Sequence, residues 1–159
     1  MILNPGLGSG GGGKPELLAH RVQANIGAGS FASVSLSGIE WDRYTQVIMY
    51  LSVKKNSNIY GEGISIAIDD CTWEFGYICA TVSGGADCMI TLYPKMFDDR
   101  IFSSVIGRKE VTGTDANVPG AACGFETSRK SYGDLKLLKV THDGSAAMTS
   151  AEIYVYGIP

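Results

Sequence analysis

Apolar and polar positions alternate with a period of two along most of this chain, most cleanly in Thr149–Ile158 (TSAEIYVYGI). There Ala151, Ile153 and Val155 fall on one side, and Glu152, Tyr154 and Tyr156 on the other. That is the pattern of a half-buried β-strand. A strand at the end of a domain is ordered only where partner strands flank it. The best-matched partner is Gln46–Lys54 (QVIMYLSVK), in which Val47, Met49, Leu51 and Val53 share one face.

The same pattern predicts further short strands separated by turn residues. Glu16–Gln23 is the first, ended by Asn25 and Gly27. Ser30–Leu36 sets Phe31, Ser33 and Ser35 against Ala32, Val34 and Leu36. After a turn at Ser37–Gly38, Ile39–Tyr44 crosses toward the long strand Gln46–Lys54, and a polar loop spans Lys55–Gly63. In Gly63–Ile68 the residues Ile64, Ile66 and Ile68 face one way. Thr72–Val82 and Asp87–Tyr93 are expected to form a hairpin around Ser83–Ala86. Arg100–Arg108, Cys123–Thr127 and Asp134–Thr141 are also predicted strands, and Thr112–Ala122 reads as a surface loop. No window carries a capped helical period; the best helical candidate is a single turn near Pro94–Arg100. Many short strands without βαβ spacing predict an all-β fold, an antiparallel β-sandwich of jelly-roll type over residues 16–159.

Composition sharpens this picture. Glycine is 21 of 159 residues, about 13%, against a usual value near 7%. Charged residues are 18%, below the roughly 25% that is typical. Few charges and many glycines suit a turn-rich β protein whose surface partly meets other protein. The net charge of −3, without a basic run, argues against nucleic acid as a partner. No stretch has the roughly 18 apolar residues of a membrane helix, and MILNPG has neither the basic lead nor the apolar core of a signal peptide. The expectation is a protein made in a reducing cytoplasm. Cys71, Cys79, Cys88 and Cys123 form no C-x-x-C pair. Cys79 and Cys88 could meet across the expected hairpin, but buried free thiols fit a reducing compartment better.

Residues 1–15 (MILNPGLGSGGGGKP) read as an extended glycine-rich N-terminal arm. The run Gly10–Gly13 has maximal backbone entropy and is ordered only where something holds it; a neighbouring subunit is the natural holder. Leu3, Pro5, Leu7 and Lys14 are the arm's candidate partner-binding residues. Gly8–Lys14 also fits G-x-x-x-x-G-K, and Gly6, Gly8 and Gly11 fit G-x-G-x-x-G. Both motifs need a preceding strand and a following helix to aim N–H groups at phosphate. Only five residues precede Gly6, Pro15 stands where Ser or Thr would hold Mg²⁺, and Glu16–Gln23 reads as extended. Nucleotide binding is therefore rejected, and no cofactor is expected.

The segments ELLAHRV, SFASVSLSGIEW, DRYTQVIMYLSV and DLKLLKVTHDGSAAMTSAEIYVYGI together resemble a pattern found in tailed-phage virion proteins. In that pattern a leading strand and a short strand with a small turn precede a long alternating strand, and a strand ending in Tyr-Gly-Ile closes the domain. Its members are single jelly-roll domains, either capsid decoration (cement) proteins or tail and fibre attachments. The similarity covers the two ends of the chain; the middle, Ser57 to Ala122, does not share it. KKNSNIYGEG is at most a shortened form of the asparagine- and aspartate-rich motif that often follows the long strand. The resemblance implies a non-enzymatic structural protein of the virion, assembled in the host cytoplasm. It implies a homotrimer whose partners are the major capsid protein or other virion proteins.

Candidate chemistry is sparse. His20 and His142 have no marked serine or cysteine partner, which a general base would need, and read as surface or interface residues. The pairs Asp69–Asp70 and Asp98–Asp99 could ligate Ca²⁺ or do acid–base work, yet adjacent aspartates also end strands by capping turns, the favoured reading. Trp41, Tyr44, Tyr60, Trp73, Phe75, Tyr77, Tyr154 and Tyr156 are the aromatics to weigh. Trp73, Phe75 and Tyr77 alternate onto one face, and form the candidate carbohydrate or interface trio. Core or subunit contact is the commoner use of such residues; host polysaccharide is the alternative ligand, in an adsorption module.

Overall fold

The computed structural model describes residues 13–55, 64–68, 71–75, 85–96, 102–109, 119–125, 131–142 and 147–159. Among these described residues ten strands run in chain order: β1 Glu16–Ile26, β2 Phe31–Ser35, β3 Gln46–Lys55, β4 Ile64–Ile68, β5 Cys71–Phe75, β6 Gly85–Leu92, β7 Phe102–Lys109, β8 Pro119–Phe125, β9 Leu137–His142 and β10 Met148–Ile158. Three-residue 3-10 turns at Trp41–Arg43 and Tyr132–Asp134 are the described helical elements. The fold is all-β.

The strands form two antiparallel sheets, one ordered β1-β10-β3-β6-β7-β8 and the other β2-β9-β4-β5. β10 is hydrogen-bonded on both sides, Tyr154 pairing with His20 of β1 and with Tyr50 of β3. Pairing is nested: β4 with β5, β3 with β6, β2 with β9 and β1 with β10, alternate pairs lying in alternate sheets. One cluster of buried side chains unites the two sheets. From the six-stranded sheet come Val47, Met49, Leu51 and Val53 of β3 and Ala151, Ile153 and Val155 of β10, the sets that alternation placed on one face. From the other come Ala32, Val34, Ile66, Ile68, Leu138 and Val140. Trp41 and Tyr132, both buried, pack their rings at 5.5 Å beside this core.

Two bulges explain where strict alternation fails. The register slips between Leu17 and Ala19, so the adjacent leucines of β1 are absorbed by one extra residue. A second slip between Met148 and Ser150 lets Met148 and Ala151, three positions apart, both be buried.

Several expectations are corrected. β1 does not stop before Asn25; it continues to Ile26, with Asn25 at φ +52°, a conformation asparagine tolerates better than most residues. β5 and β6 do not form a hairpin, because β5 pairs with β4 and β6 joins the other sheet. Residues 119–122, expected in a loop, begin β8, an edge strand that admits Pro119 at its first position. Tyr132–Asp134 forms a turn, so β9 starts later than alternation indicated. Pro94–Met96 is a turn, with the Met96 N–H donating to the Tyr93 carbonyl at 3.1 Å.

Candidate functional site

The residues that alternation leaves outside on the six-stranded sheet form its most distinctive surface. The inward set of β10 turns Glu152, Tyr154, Tyr156 and Ile158 to the other face, and β3 adds Ile48, Tyr50 and Ser52. Cross-strand register then lines up His20, Tyr154 and Tyr50 in one row, with Tyr156 and Ile48 in the next. Tyr50 keeps 44% of its surface exposed. With Pro15 and Ile158, the side chains of Ile48, Tyr50, Tyr154 and Tyr156 line an open apolar concavity of about 450 Å³.

The rings are arranged against one another. His20 stacks on Tyr154 with centroids 4.1 Å apart and planes 13° from parallel. Tyr156 stands nearly parallel to Tyr154 at 6.2 Å, and Tyr50 meets Tyr156 edge-on at 6.0 Å. Ring packing of this kind contributes beyond the area it covers. The Tyr154 hydroxyl donates to Glu152 Oε1 at 2.5 Å, and His20 Nε2 lies 3.8 Å from the same oxygen. Accepting that hydrogen bond, the Glu152 carboxylate holds the Tyr154 phenol above its ordinary range, with desolvation acting the same way. Beyond the rings, the Ser52 hydroxyl donates to Asp87 Oδ1 at 2.7 Å. The face is thus apolar at the Ile158 end and polar toward Asp87.

The chain enters and leaves beside this concavity. Pro15 lies on its rim, Gly13 sits against the Pro159 ring, and both Ile158 and Pro159 carbonyls accept from the Thr45 hydroxyl. The Tyr44 ring packs against Gly157, where a methyl group would run into its ring carbons. The Tyr44 hydroxyl donates to Glu16 Oε2 at 2.9 Å, and Arg43 reaches Glu16 at 3.5 Å and Glu40 at 3.0 Å. Burial, then the bond to Glu16, raises the Tyr44 phenol pKa. A shallow polar hollow of about 250 Å³ adjoins this corner, lined by Glu16, Ser35, Ser37, Glu40, Arg43 and Tyr44.

The residues singled out in the sequence fall as follows. Lys14 is exposed next to the concavity, while Leu3, Pro5 and Leu7 lie outside the described residues. Trp73 and Phe75 occupy register positions opposite Ile66 and Ile64 on the edge strand β5, and Tyr77 is outside the described residues. Asp69, Asp70, Asp98, Asp99 and Cys79 are outside them too. Pro15 is followed by a strand, so the helix that a phosphate-binding glycine loop requires is not what comes next. His20 belongs to the tyrosine face. Cys88 is buried as a free thiol, and desolvation pushes it up to about 12. Among the described residues no three His, Cys, Asp or Glu side chains are grouped to hold a metal ion. Sequence reasoning missed Tyr50 and Ile48. Their positions on the outward side of β3 were readable, but their adjacency to Tyr154 and Tyr156 requires the β3–β10 register.

Comparison with protein-family models, with curated proteins and with solved structures finds no match for this chain.

Proposed function

We propose that this chain is a non-enzymatic structural protein of a phage particle, a capsid decoration protein that sits on the shell as a homotrimer. In this reading the fold is a β-sandwich of jelly-roll type carrying a glycine-rich arm. Nested pairing with alternate pairs in alternate sheets supports the jelly roll, since rolling up one long antiparallel hairpin gives that order. β7 and β8 are then additions to one sheet.

The observation that carries the functional reading is the outward tyrosine face with the arm leaving from its rim. A surface of half-exposed aromatics and aliphatics, polar at one end, is what an interface core looks like before its partner arrives. The same rings serve a polysaccharide less well. Stacking on a sugar needs an open ring face, and His20, Tyr154, Tyr156 and Tyr50 turn faces and edges toward each other. The test is reconstitution on particles lacking the protein. Full-length protein coats them; protein lacking residues 1–12 does not. Equal coating by the truncated protein would refute the arm's role.

A further inference from the structure

We propose that the tyrosine face is the acceptor for the arm tip, residues 1–7 (MILNPGL), of a second copy of this chain. This rests on the arm being a contact element, as in the preceding reading, and names what it contacts.

Three observations converge on that occupant. The first is chemical fit. In an extended chain Leu3, Pro5 and Leu7 fall on one side, with alternate residues about 6.6 Å apart. The parallel rings of Tyr154 and Tyr156 are 6.2 Å apart. An extended apolar segment laid along β10 therefore sets successive side chains against successive rings.

The second is direction. β1 runs antiparallel to β10, Glu16 pairing with Gly157. Followed backward from Glu16, the chain passes Pro159 at Gly13, moving away from Tyr154 and Tyr156. An arm continuing that course leaves its own tyrosine face behind and is aimed at a neighbour's. The third is reach. Residues 8–13 (GSGGGG) span at most about 20 Å when fully extended, a length that can bridge to an adjacent copy. An arm-to-face contact is heterologous, and such contacts close into a ring when the rotation between copies closes; in the trimer proposed above, three arms fill three faces.

The experiment uses purified protein alone, away from any particle. Full-length protein should run as a trimer by light scattering, and protein lacking residues 1–12 as a monomer. A labelled MILNPGL peptide should bind the truncated protein, and about tenfold or more weaker when Tyr50→Ser or Tyr154→Ser is present, each variant checked for an unchanged melt. A truncated protein that stays trimeric overturns the proposal, as does a peptide that does not bind or is indifferent to both tyrosines. A monomeric full-length protein that blocks the peptide shows the arm on its own face, and also overturns it. None of these outcomes depends on whether particles are coated, so the self-contact and the decoration role fail separately.

Discussion

Adding one methyl group at Gly157 should cost this protein far more than glycine-to-alanine changes usually do. Within a strand, alanine normally gains stability over glycine by restricting the unfolded chain. Here the new carbon would lie 2.4 Å from two ring carbons of Tyr44 and 2.9 Å from a third. Carbon atoms in good contact sit about 3.5–4.0 Å apart, so the ring must move by more than an ångström. Tyr44 is only 2% exposed and is tied to Glu16 by its hydroxyl. Overpacking of this kind costs about 1–3 kcal/mol, and loss of the hydrogen bond adds about 1 kcal/mol. The expected cost of Gly157→Ala is about 3 kcal/mol, lowering Tm by roughly 6–12 °C for a domain of this size. Thermal melts and urea titrations measure it directly. The paired control is Tyr44→Ala: in that background Gly157→Ala should cost almost nothing, a large coupling in the double-mutant cycle. A Gly157→Ala protein within about 0.5 kcal/mol of wild type would refute the packing account, because surface-like tolerance is then what the site shows.

Other consequences follow from the same structure. Tyr44→Phe keeps the ring and loses the bond to Glu16, so it should cost about 1 kcal/mol in urea titrations. Arg43→Ala, at an exposed ion-pair cluster, should leave the urea midpoint nearly unchanged. Ile153, fully buried on β10, which is paired on both sides, should cost about 2–5 kcal/mol on replacement by alanine. Alkaline pH should destabilise the fold through Cys88. The unfolded thiol ionises near 9 and the folded one at about 12, so above pH 9 the native state retains a proton the unfolded state has lost, and stability falls up to pH 12. The Tyr44 phenol, also raised, acts in the same sense. Urea midpoints at pH 8 and 10.5 should drop further for wild type than for Cys88→Ala; equal drops would exclude Cys88 as a cause.

Much of the fold was legible because burial on one face writes a period of two into the sequence. In β2, β3 and β10 the alternation sorted residues onto the two faces as the structure has them, down to Ala32 buried beside an exposed Phe31. Sheet membership was less legible. Gly84–Gly85 looked like the tip of a hairpin, but turn residues do not say which sheet the next strand joins, and β5 and β6 part company. The start of β8 was missed, since PGAA alternates nothing large and small residues on an edge strand leave no periodic trace; only Cys123 onward read as a strand. The bulge at Leu17–Ala19 appeared only as two adjacent leucines. Tyr154 and Tyr156 drew notice individually. Their partnership with Tyr50 and His20 is a property of three strands in register, which no single segment encodes.

Contact on a particle shell is the task proposed for this protein. Its copy number in purified virions, measured by quantitative mass spectrometry against the major shell protein, tests that most directly. A decoration protein should be present at a number comparable to the shell protein. A few copies per particle would contradict the shell assignment and move the protein to the tail or fibres, and absence from particles would contradict the virion reading altogether.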